Sequence, residues 1–146
     1  MTAFRFPLEK VLDWRRTELE LARARFEQQT AAVVALDRER AALETSAVQA
    51  EMTVRHWAAV TGGDLAALAA FRRHVRLRED KIGTARAQAQ RELDTRGSAM
   101  LEARRRVRLL ERLKDRRLAE WRRAFDRELE QLASDSYLAK FAADRR

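Results

Sequence analysis

Cysteine is absent from the 146-residue chain, so no disulfide, thiol nucleophile or thiolate metal site can be built. Proline occurs once, at Pro7, and glycine four times, which leaves few places for the chain to turn. The longest uncharged run, Gln28 to Leu36, has nine residues. A membrane span needs about twenty, and the opening stretch MTAFRFPLEKVLDWRR is charged from residue 5 onward, unlike a signal peptide. A soluble, cytoplasmic protein is expected. Glycine-rich phosphate loops and the His-Glu-x-x-His pattern are also missing. The two histidines, His56 and His74, have no companions from which a metal site could be assembled. Neither catalysis nor a cofactor is expected.

What the chain does contain is charge and helix-forming residues. Charged side chains make up 37 % of the sequence and the net charge is +8. Ala, Arg, Leu and Glu dominate, as in coiled coils and unlike domains with a thick core. Arginine outnumbers lysine 27 to 4. Residues 1–61 are balanced, with nine basic and nine acidic residues, so the whole excess lies in 62–146. Within that half, residues 104–123 hold ten basic and three acidic side chains.

The apolar residues repeat at alternating steps of three and four. One seam runs Leu8, Leu12, Arg15, Leu19, Ala22, Phe26, Gln29, Val33, Leu36, Arg40, Leu43, Ala47, Ala50, Val54, Trp57. Arg15, Gln29 and Arg40 are its polar members, of the kind that select register or partner. A second seam runs Leu68, Phe71, Val75, Ile82, Ala85, Ala89, Leu93, Met100, Ala103, Val107, Leu110, and on to Trp121, Phe125, Leu129 and Leu132. Between them stands TGGD at 61–64. Adjacent glycines can end one helix with positive φ, and Asp64 can cap the next. The spacing predicts an all-α fold: one coiled-coil domain, a long antiparallel two-helix hairpin. Its helices span 7–61 and 65–133 or beyond, with a frayed C-terminal tail. Gly83 and Gly97 fall inside the second helix as bends or close-contact points, with a helix end at Gly97 as the alternative. With the turn centred on Gly62–Gly63, facing residue numbers should add to about 125, bringing Phe4 to Trp121 and Leu12 to Leu113.

The stretch LEARRRVRLLERLKDRRLAEWRRAF, residues 101–125, poses the functional question. Its basic richness suits phosphate, yet the apolar seam runs through it and Glu111, Asp115 and Glu120 interrupt it. Leucine-zipper DNA readers instead keep the basic region clear of the seam. Eight arginines, Arg104, Arg105, Arg108, Arg112, Arg116, Arg117, Arg122 and Arg123, should then surround the helix, some flanking the seam and others pointing outward. A nucleic-acid reader would gather them on one side.

Both ends of the chain resemble the FliJ family of flagellar export proteins. Phe4, Phe6, Leu8, Val11, Leu12, Arg15 or Arg16, Glu18 and Ala22 are similar to that family's N-terminal pattern. Leu110, Glu111, Leu113, Lys114, Arg116, Arg117, Trp121 (usually Tyr in the family), Glu128 and Leu132 are similar to its C-terminal block. The sequence departs from the pattern after Leu132, where the family often has an acidic pair and this chain has Ala133 and Ser134. The resemblance implies an antiparallel coiled coil like the γ stalk of rotary ATP synthase. It would serve type III secretion, in flagellum biogenesis and motility or in a YscO-type injectisome, as a stalk and general chaperone of protein transport. The implied partners are the hexameric export ATPase, which it enters and stimulates, the cytoplasmic ring of the export gate, and export chaperones. The implied location is cytoplasmic, peripheral to the inner-membrane apparatus through those partners and without specific nucleic acid. Phe4, Phe6, Trp121 and the eight arginines become the residues expected to meet the ATPase. Val54, Trp57, Leu68, Phe71 and Val75, near the turn, become those expected to meet the gate. The runner-up reading is a basic coiled-coil adaptor or nucleic-acid-binding protein.

Overall fold

The computed structural model describes residues 3–143. They form two long helices, α1 (Glu9–Arg55) and α2 (Gly62–Ala143), packed against each other as an all-α helical hairpin. α1 starts just after Pro7, where the Glu9 amide already donates to the Phe6 carbonyl at 3.2 Å. A proline there loses no helical hydrogen bond, and the Glu9 carboxylate favours the positive end of the helix dipole.

The connection differs from the expected glycine turn. α1 ends at Arg55 rather than at 61, and no described glycine has positive φ. The last turn tightens first, with the Trp57 amide donating to the Val54 carbonyl at 3.3 Å. Gly62 and Gly63 are the first residues of α2 instead of the apex. The feature that sets this boundary is a capping box, Thr61-x-x-Asp64. The Asp64 amide donates to Thr61 Oγ1 at 3.1 Å, and the Thr61 amide donates to Asp64 Oδ2 at 2.9 Å. Thr61, not Asp64, is therefore the cap, and Asp64 completes the box from the third helical position.

Two compact units divide the described residues: 3–19 with 102–143, and Glu20–Leu101. In the first, Phe6, Leu12, Leu19 and Val107 form the buried core. Leu12 is 0 % exposed, a burial that contributes about 1.5–3 kcal/mol. In the second, Val33, Val75, Ile82 and Ala89 are buried together with one polar residue, Gln29. The Gln29 Nε2 amide donates to the Ala89 carbonyl at 2.9 Å. Phe26 lies over Gly97, where an added Cβ would meet the ring at 3.4 Å. α2 runs through Gly83 and Gly97 without a break, and Gly97 is a close-contact point as its place in the seam suggested.

Cross-helix contacts in each unit keep to one register, with numbers that add to between 117 for Glu39–Arg78 and 127 for Arg16–Glu111 as the side chains reach along the seam. The facing numbers add to 123 in Glu9–Lys114, Phe26–Gly97, Asp37–Arg86 and Glu51–Arg72, close to the expected 125. The seams depart from expectation at particular positions. Leu8 and Trp57 are exposed because neither lies inside α1. Arg40 turns outward to Glu44, at 3.1 Å. Ala85 is exposed while Arg86 folds along the flank to reach Asp37. Leu129 and Leu132 are exposed as well, and residues 134–143, expected to fray, are helical. Arg15 keeps its seam position by bonding Glu18 at 2.8 Å with its guanidinium over the Trp14 ring.

The capping box has a pH signature. The hydroxyl of Thr61, and after it the Thr61 amide, holds the Asp64 carboxyl below its ordinary value of 3.8. Because the folded value is depressed, the stabilisation is complete above the unfolded pKa and is lost as pH falls through the folded one. NMR titration of the Asp64 carboxyl should give a midpoint below 3.8, moving upward in Thr61→Ala. A midpoint already at the ordinary value would remove the capping box from the account.

Candidate functional site

In the first unit an aromatic clamp joins the segment before α1 to α2. The Phe4 ring lies 6.1 Å from Trp121 at 55°, and Trp121 stacks on Phe125 at 5.2 Å and 28°. The Phe4–Trp121 contact is the one expected from the sequence, and Phe6 is buried beneath the same segment. Pro7 makes this possible by keeping residues 3–6 out of the helix, so the rings can fold across the end of the seam. The clamp floors an open groove of about 1010 Å³ rimmed by Arg5, Pro7, Arg117 and Glu120. Two cross-helix ion pairs brace the unit: Lys114 to Glu9 at 2.8 Å and Arg16 to Glu111 at 3.2 Å.

All eight arginines singled out in the sequence are exposed, but they do not encircle the helix. At 3.6 residues per turn, Arg104, Arg105, Arg108, Arg112, Arg116, Arg122 and Arg123 fall within an arc of roughly 120°, on the side away from the Val107–Trp121 seam. Arg117 alone lies on the other flank, at the groove, where it bonds Glu120 at 3.2 Å. The expectation of all-round charge is therefore corrected. Separations such as three (Arg105–Arg108), four (Arg104–Arg108–Arg112–Arg116) and seven (Arg116–Arg123) keep them on one side.

The seam read from the sequence reaches Leu129 and Leu132 but leaves out Tyr137, Leu138 and Phe141, and residues 126–143 are exposed at every described position. Leu132 is 61 % exposed and Tyr137 70 %, with Leu129, Leu138 and Phe141 also exposed. Leu129 and Leu132 continue the seam direction, whereas Tyr137, Leu138 and Phe141 gather on roughly the opposite side. The signal was present in the chain as apolar residues that fit no single 3.6-residue stripe.

In the second unit, the residues expected to dock near the turn divide by burial. Val75 is buried, and Val54, Leu68 and Phe71 are half-buried in the seam, so their side chains hold the helices together. Trp57, in the connection, is 46 % exposed. The apolar side chains open to solvent beside it are Val48, Met52, Val60 and Leu65, none of which the heptad count selected. His56 and His74 are both exposed, and His56 Nδ1 bonds the Met52 carbonyl at 2.7 Å.

Among the described residues no group of three or more His, Cys, Asp or Glu could hold a metal ion, and no helix is long and apolar enough to cross a membrane. Comparison with protein families, curated proteins and solved structures returns no match.

The clamp has a measurable energy. Ring pairs of this geometry are worth about 0.5–1.5 kcal/mol beyond their burial. A double-mutant cycle of Phe4→Leu and Trp121→Leu, read by urea unfolding, should return a coupling in that range. A coupling of zero would show that the segment before α1 is not held by the rings.

Proposed function

We propose that this chain is a non-enzymatic stalk and general chaperone of a flagellar type III export apparatus, entering the hexameric export ATPase and stimulating it. The observation that carries the reading is the C-terminal segment of α2. A helix apolar on a single side is covered by one flat partner. One that exposes Leu129 and Leu132 on one side and Tyr137 and Leu138 on the other suits a partner that surrounds it. The central opening of a ring supplies such surroundings, and the residues resembling the FliJ family's C-terminal block lie next to this segment.

In this reading the aromatic clamp of Phe4, Trp121 and Phe125 joins the chain's two terminal segments as they enter the ring. Gate docking falls to the exposed residues Val48, Met52, Trp57, Val60 and Leu65, because Val54, Leu68, Phe71 and Val75 are engaged in packing. The one-sided arginines fit a ring wall less well than all-round charge would, which lends weight to a basic adaptor or polyanion-binding protein as the second reading.

Leu132→Asp combined with Leu138→Asp should abolish the chain's stimulation of ATP hydrolysis by the hexameric export ATPase. Circular dichroism should be unchanged, because exposed substitutions usually alter stability by no more than about 0.5 kcal/mol. Undiminished stimulation by the doubly substituted chain would remove the segment, and with it the stalk reading.

A further inference from the structure

We propose that the outward face of α2 in the first unit, built on Arg104, Arg108, Arg112 and Arg116, binds the phosphate backbone of a nucleic acid without reading its sequence. These four residues stand at consecutive i, i+4 positions and form one ridge. Their Cα atoms succeed one another by about 6 Å along the axis, at 1.5 Å per residue. All four are exposed, and among the described residues none makes an ion pair.

The acids of the same stretch turn away from the ridge. Glu102 reaches Arg106 at 3.5 Å and Arg105 at 3.9 Å, Glu111 crosses to Arg16 on α1, and Glu120 bonds Arg117 at the groove. Only Asp115 lies within the arc, and it forms no ion pair among the described residues. Like charges one turn apart repel, so three successive Arg–Arg steps oppose helix formation here. Elsewhere in α2, Arg72, Arg78 and Arg86 each meet an acid of α1. A ridge that breaks this local rule is accounted for when an anion completes it.

The chemistry of the anion follows from the residue type and from what is missing. Guanidinium forks bind phosphate oxygens in pairs. A row of such forks, turning about 40° round the helix at each step of four, can follow a linear polyanion that crosses the helix obliquely. No aromatic side chain lies among the four, so neither base stacking nor sequence choice is expected. Leu109 is the one large apolar side chain exposed on that face between Arg104 and Arg116, too little to anchor a helix in a bilayer surface. The proposal does not rest on the stalk reading, which is carried by residues 126–143.

The test is fluorescence anisotropy with a labelled 20-nucleotide single strand and a 20-base-pair duplex, on the full chain, at 50 and 200 mM salt. Engagement of four phosphates predicts a log–log salt slope near −3 for the single strand and near −3.6 for the duplex. The variant R104Q/R108Q/R112Q/R116Q should lose at least tenfold in affinity at 50 mM salt, with the slope flattening toward zero. The control R25Q/R38Q/R73Q/R76Q removes the same charge from exposed positions of the second unit and should bind within twofold of the parent. Circular dichroism on both variants checks that the helices are intact. Equal loss in the control would reduce the effect to net charge and overturn the assignment. Absence of binding at 50 mM salt would also overturn it. So would capture by vesicles of anionic phospholipid without capture of either nucleic acid, which would reassign the face to a membrane surface.

Discussion

The side-chain amide of Gln29, buried against the backbone carbonyl of Ala89, is the contact on which the rest of the hairpin depends. Two helices joined along a narrow repeating seam can slide by a heptad with little change in apolar burial. What resists sliding is a position where only one register fits. A buried amide without a partner costs about 1–3 kcal/mol. It reaches a helix carbonyl here because residue 89 is alanine, small enough to leave the backbone open. Phe26, one turn from Gln29 on α1, and Gly97, about two turns from Ala89 on α2, add the matching steric pair, a large ring over a missing side chain. Moving α2 by seven residues would set Gln29 against the branched Ile82, or Phe26 against Arg104. The exposed cross-helix ion pairs agree with this register but are each worth no more than about 1 kcal/mol, so they follow it.

The distribution of charge and apolar surface follows from that seam. A stripe of single residues per turn buries only a narrow side of each helix, so most of every helix stays in water. Opposite charges meet across the seam in the second unit, through Glu39, Asp37 and Glu51 with Arg78, Arg86 and Arg72. In the first unit the acids are too few, and the arginines collect on the outward side of α2. The same geometry leaves Leu132, Tyr137 and Leu138 in solvent on more than one side. Two surfaces with different chemistry therefore lie on one helix, an arginine ridge and an apolar C-terminal segment. They call for two different kinds of contact.

Much of this was legible in the sequence, for reasons that can be named. Seven heptads, one proline and one glycine pair leave little besides two helices and a connection. The contact of Phe4 with Trp121 and the seam positions from Leu12 to Val54, Arg40 excepted, follow from counting. The start of α2 was misread because glycine is the louder signal: the pair Gly62–Gly63 drew the turn, while Thr61 and Asp64 set the boundary by hydrogen bonding. The residues expected to meet a partner near the connection are mostly engaged in packing, for a related reason. The heptad count selects side chains that the hairpin itself consumes, such as Val75 and Phe71, and passes over Val48, Met52, Val60 and Leu65, which remain exposed. The arginines were expected all round the helix, although seven of the eight fall within one arc. Placing Arg104, Arg108, Arg112 and Arg116 at steps of four shows that they share a ridge.

The measurement closest to the central claim is a pair of spin-label distances in the second unit. Labels at positions 37 and 86 should report the short separation of facing residues, as the Asp37–Arg86 contact at 3.0 Å requires. Labels at 37 and 79, one heptad away on α2, should be farther apart, by an axial offset of about 10 Å. A shorter distance for 37 and 79 than for 37 and 86, or two populations differing by a heptad, would show that Gln29 and Ala89 do not set the register.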